Sequence, residues 1–178
     1  METSLFAGDG EVRALLRAFD WTASPLGHPT SWPAEIRVLV RQMLNSKFPM
    51  WVAWGAPLHM IYNDAYCDIL LERHPGALGR PVVEVWWEVS RRIVPLLHQA
   101  ASGVSIPLLV MPFDVLRGGQ PESVWFNFTL TPVLGEDNGV SGVMCLITES
   151  TFLKGAHEHL AEQEFAAPSG RDGQKYLM

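Results

Sequence analysis

Ser105-Ile-Pro-Leu-Leu-Val-Met-Pro-Phe-Asp-Val115, Ser123-Val-Trp-Phe-Asn-Phe-Thr-Leu-Thr-Pro-Val133 and Val140-Ser-Gly-Val-Met-Cys-Leu-Ile-Thr148 are three runs dense in β-branched and aromatic side chains. Such residues fit a pleated, half-buried surface. Between the runs lie Gly118-Gly119 and Glu136-Asp137-Asn138-Gly139, turn chemistry that reverses a chain within a few residues. Three consecutive antiparallel strands are the simplest reading. In the middle run, period two sets Phe126 and Phe128 on one face and Trp125 and Asn127 on the other. The run alone does not say which face is buried.

Upstream, residues 89–101 carry Ile93, Leu96, Leu97 and Ala100 at helical spacing and stop at Gly103. Residues 82–87 leave helix and strand both open. Asn63 is placed to cap a helix carrying Ala65, Tyr66, Ile69 and Leu70, which His74-Pro75-Gly76 ends. Residues 49–54 and 58–62 are short aromatic and β-branched runs split by Gly55-Ala56-Pro57, a hairpin pattern. Pro33 suits the first turn of a helix with Ile36, Leu39, Val40, Met43 and Leu44 on its apolar face. Residues 22–33, with Pro25, Gly27, Pro29 and Pro33, form a loop. Residues 9–20 predict an amphipathic helix through Val12, Leu15, Leu16 and Phe19, with Asp9 as its cap. At the other end, residues 151–165 read as helical and residues 167–178 as a polar tail that frays.

With 178 residues, 48% of them hydrophobic, the chain has enough apolar side chains for one core. A formal net charge of -6 without blocks of like charge gives no basic surface for a phosphate backbone, so nucleic acid is not an expected partner. Cys67 and Cys145 stand alone in apolar stretches, without metal-ligand or redox spacing. Residues 1–10 lack the basic and apolar regions of a secretory signal. The longest apolar stretch, residues 104–113, is broken by Pro107 and Pro112, far short of the ~20 residues that cross a bilayer. A cytoplasmic protein without membrane insertion is expected.

The order helix, helix, two strands, several helices, three strands, helix lacks the alternation of a doubly wound sheet. It fits an α+β fold. That order, over residues 10–151, resembles the PAS domains found near the amino terminus of bacterial sensor histidine kinases, including hybrid ones. The stretches that carry the likeness are Arg13-Ala-Leu-Leu-Arg-Ala-Phe-Asp-Trp21, Ser24-Pro-Leu-Gly27, Ser31-Trp-Pro33, Met43-Leu-Asn-Ser46 and Phe48-Pro-Met50. Tyr62-Asn-Asp-Ala-Tyr66, His74-Pro-Gly-Ala-Leu-Gly-Arg-Pro81, Val85-Trp86, Thr131-Pro-Val133 and Thr148-Glu-Ser-Thr151 extend it. The resemblance implies a five-stranded antiparallel sheet with helices on one face. It divides the chain into flanking helices and loop (residues 1–47), core (48–150), and linker helix with tail (151–178). It also implies a sensory role: a small ligand or protein partner, a homodimer, and a relay to a histidine kinase or other output module. The common PAS ending is Asp-Ile-Thr. Here Glu149, Ser150 and Thr151 stand in its place, making Glu149 and Thr151 the candidates for signal coupling.

Candidate pocket residues are Trp86, His98, Phe126, Asn127, Phe128 and Met144. His98 lies on the presumed long helix, from which some heme-binding PAS sensors supply the axial ligand. It stands beside the apolar stripe as readily as within it. Flavin is the other cofactor to weigh, yet Gly79-Arg80-Pro81 lacks the nearby Cys of the photoactive subgroup. The cofactor stays unassigned, and a core without heme or flavin is the simpler reading. His157 and His159 flank Glu158 without the spacing of a metal site. No Gly-x-Ser-x-Gly, phosphate loop or Gly-x-Gly-x-x-Gly is present, so no catalytic activity is expected. A small enzyme using His98, Glu84 or Glu88 as a base is the remaining alternative.

Overall fold

The computed structural model describes residues 4–150. Helices α1 (Glu11–Ala18) and α2 (Ala34–Asn45) precede the hairpin of β1 (Met50–Trp54) and β2 (His59–Tyr62). Two short turns, α3 (Cys67–Leu70) and α4 (Val82–Val85), lead into α5 (Ser90–Ala101). Strands β3 (Ile106–Arg117), β4 (Gln120–Leu134) and β5 (Val140–Glu149) follow as a meander. All five strands form one antiparallel sheet in the order β2-β1-β5-β4-β3. The expected helix over residues 151–165, the tail after it, Thr151, His157 and His159 lie outside the described residues.

Burial decides the face that the sequence leaves open. Val124, Phe126, Phe128 and Leu130 are buried, whereas Trp125 and Asn127 between them are only partly so. Register carries this inner face across the sheet: Phe113 opposes Val124, and Cys145 opposes both Leu130 and Trp51. Helix α5 packs on it, burying Leu97 and Ala100.

The flanking helices occupy the opposite side. Helix α2 buries Ile36, Val40 and Met43 completely and lies over β1 and β5. A Cβ at Gly142 would stand 2.7 Å from the Ala53 carbonyl oxygen and 3.1 Å from Ile36 Cδ1, so only glycine admits this approach. On α1, Val12 and Leu16 are fully buried. The apolar stripes of both flanking helices are covered within the chain itself. The Pro- and Gly-broken loop adds an aromatic run that ends on the sheet. Trp21 meets Trp32 at 4.9 Å between ring centroids, and Trp32 meets Trp54 at 4.8 Å.

Helix α1 is shorter than residues 9–20, and Asp9 does not cap it. Gly10, with φ of +132°, holds the N-cap position. The capping carboxylate comes from Asp64, which accepts a hydrogen bond from the Val12 amide at 2.8 Å. A side chain at Gly10 would meet Asp64 Oδ2 at 2.5 Å. The local rule of a preceding Asp fails because a carboxylate distant in sequence reaches the same amide.

Candidate functional site

Between the inner face of the sheet and α5 lies a cavity of about 60 Å³. Trp51, Tyr66, Trp86, Leu97, Phe113 and Cys145 are among the residues that wall it. Phe126 and Phe128 also line it, so three of the six pocket candidates meet there. Asn127, Met144 and His98 do not. Asn127 stands on the outer face, where its Oδ1 accepts from the Ser150 hydroxyl at 3.1 Å. Met144 opposes Val52 and Thr131 on that same outer side. His98 is exposed and borders an external apolar groove with Leu58, Val83 and Val94.

The wall is apolar and aromatic, and its tyrosine hydroxyl is already engaged. Tyr66 Oη accepts from Trp86 Nε1 at 2.9 Å. Burial pushes the Tyr66 hydroxyl well above its ordinary pKa of 10 and drives the Cys145 thiol upward as well. Both stay protonated. Glu84 pairs with Arg80 at the surface and Glu88 pairs with Arg73; neither lines the cavity. Among the described residues, no group of His, Cys, Asp and Glu could hold a metal ion.

Trp86 ties the cavity to the far end of the sheet. The Arg73 guanidinium lies over its indole, 4.5 Å from the ring centroid. Arg73 pairs with Glu88 and donates to the Leu116 carbonyl at 3.2 Å, while the Leu116 amide donates to Glu88 at 3.3 Å. One residue on, Arg117 Nη2 meets Glu149 Oε2 at 2.6 Å. That hydrogen bond is the main cause raising the Arg117 pKa. Glu149, chosen from the sequence for its place in the chain, thus lies one step from a network that begins at the cavity wall.

A second cluster escapes sequence reasoning. Tyr62 Oη and His74 Nδ1 are 2.9 Å apart, Cys67 Sγ is 3.6 Å from the same nitrogen, and His74 Nε2 is 3.2 Å from Glu11 Oε1. The order thiol, imidazole, carboxylate matches that of a cysteine nucleophile. The electrostatics oppose that chemistry: burial, then the nearby Asp64, Glu11 and Asp68, push the Cys67 thiol up to about 12. Thiolate is the reactive form, so at neutral pH the group joins α1 to the core and does not attack.

No protein-family model matches the chain, and no curated protein matches it in sequence. Solved structures do. The PAS domain of BvgS from Bordetella pertussis superimposes with a TM-score of 0.52 at 16% identity, over 74% of this chain and 98% of that domain. This chain has a PAS fold. The phage VqmA–DPO complex gives a TM-score of 0.53 at 16% identity over 74% of this chain, which spans 60% of the VqmA chain. A Rhodobacter sphaeroides LOV protein gives 0.51 at 13% identity, with 73% of each chain covered. At these identities the likeness is one of PAS architecture.

The residues do not fit the two cofactors weighed from the sequence. Its 60 Å³ is less than half the ~150 Å³ of an apolar cavity that takes benzene, far short of a porphyrin or a flavin ring system. His98 faces away from it, and Asn127 is on the other face of the sheet.

Proposed function

We propose that this PAS domain is a sensory module whose core cavity takes a small, apolar ligand. Occupancy biases an output module of the histidine kinase type, in an adjoining segment or a partner, and the domain itself performs no catalysis. The observation that carries the reading is the cavity wall. An apolar space bounded by Trp86 is linked through Arg73, Glu88 and Leu116 to Arg117 and Glu149. A ligand that moves the indole changes the cation seated on it, and a coupling of about 1–3 kcal/mol is enough to shift an output. Mass spectrometry of small molecules released from the denatured protein tests the first half. A stoichiometric apolar compound of a few heavy atoms is the expected result; a stoichiometric polar or charged compound contradicts it.

A second reading, assembly with another copy, is favoured by the outer face of β3, where Val110 is 57% exposed. We place the dimer contact there and not on the flanking helices, whose stripes are buried. Light scattering checks this: a dimer that Val110→Lys converts to monomer is expected, and a strict monomer at high concentration removes it.

A further inference from the structure

Away from the cavity, a polar pocket of about 450 Å³ opens between α1, the C-terminal end of α2 and Asp64. Its floor holds Arg13, which is only 6% exposed. A buried guanidinium cannot shed its proton and is costly without a counter-charge. Yet Arg13 has no carboxylate within ion-pair distance among the described residues. Nη1 donates to the Ala7 carbonyl at 2.7 Å and Nη2 to Asn45 Oδ1 at 2.9 Å. Both acceptors are neutral, and a guanidinium has five N–H donors.

The other charges around the pocket are also unpaired with one another. Lys47 and Asp9 line it without forming an ion pair among the described residues. Asp64 spends Oδ1 on the Val12 amide, leaving Oδ2 turned toward Gly10. Two cations and two carboxylates thus share one pocket, with the buried cation at its base. A dianion would be repelled by Asp9 and Asp64. We propose that this pocket binds a small zwitterion of the α-amino-acid class, its carboxylate on Arg13 and Lys47 and its ammonium on Asp9 and Asp64.

The inference is independent of the core cavity, and its readout is separate. The test is an amide-resolved NMR titration of the full chain with the proteinogenic amino acids one by one. Acetate, methylammonium and inorganic phosphate serve as controls. At least one amino acid is expected to shift the amides of Gly8, Asp9, Ser46 and Lys47 saturably, with acetate and methylammonium at least about tenfold weaker. Lys47→Ala and Asp9→Asn change exposed side chains without hydrogen-bond partners, so both keep the fold. Each weakens the amino acid about fivefold, and Asp9→Asn leaves acetate no weaker. The proposal is overturned if no amino acid shifts these amides by ~10 mM, where even millimolar affinity registers. It is equally overturned if phosphate or acetate binds as tightly as the amino acids, or if neither substitution changes the affinity.

Discussion

Asn63 holds five backbone groups with one side chain. Its Oδ1 accepts from the amides of Met50 and Tyr66, and its Nδ2 lies within hydrogen-bond distance of the carbonyls of Met43, Ser46 and Phe48. It is 1% exposed, so truncation removes these side-chain bonds at a buried position, while the Tyr66 amide keeps the Asn63 carbonyl and the Met43 carbonyl keeps the Ser46 amide. At about 1–3 kcal/mol for a buried unsatisfied group, Asn63→Ala is expected to cost roughly 3–5 kcal/mol, in the range that marks a broken buried network. Urea unfolding measures it, as a lower midpoint with an unchanged slope. His59 makes a pH prediction. It is 7% exposed and its Nδ1 has no hydrogen-bond partner. Burial lowers its pKa from 6.5, against a smaller opposing pull from Glu84. The unfolded chain therefore takes up a proton on this side chain before the folded one does. Its contribution to stability is complete above pH 6.5 and is lost as pH falls below that value. Melting temperature against pH should show a decline in that window, and His59→Leu should flatten it.

At the scale of elements, the close approach of α2 to the sheet depends on Gly142. Gly142→Ala pushes a methyl group against the Ala53 carbonyl and Ile36, and overpacking of this kind costs about 1–3 kcal/mol; a thermal melt measures the loss. The elements themselves were largely legible in the sequence. Periodicity marked α2, α5 and the three-strand meander because each buries one face of a regular pattern. Asn63 was legible as a cap, though not as the hub of five contacts. What stayed hidden depends on approaches between distant residues. The Asp64 cap on α1, the Glu11–His74–Cys67 cluster and the coverage of the outer face by α2 have no local signature. The same limit misplaced Asn127: period two paired it correctly with Trp125, but which face is inside is set by what α5 and α2 cover. His98 stands next to Leu97, and one residue of helical rotation moves a side chain from the core to solvent.

For the whole molecule, the PAS fold places an apolar cavity on the inner face and a charged pocket under the amino-terminal helices. The cavity leads to the end of the sheet through Trp86, Arg73 and Leu116. The last link, Arg117 to Glu149, is partly exposed, with side chains 17% and 30% accessible, so Glu149→Gln is expected to cost less than ~1 kcal/mol of stability. Its effect belongs to coupling: ligand-induced shifts should persist at Trp86 and disappear at Ser150. The most direct measurement of the central claim is an amide-resolved NMR titration with xenon, in the wild-type chain and in Cys145→Leu, which fills the cavity from its wall. The account predicts saturable shifts at Trp51, Trp86, Phe126 and Phe128 that extend to Glu149 in the wild type and vanish in the filled variant. Shifts confined to the surface, or unchanged when the cavity is filled, would contradict it.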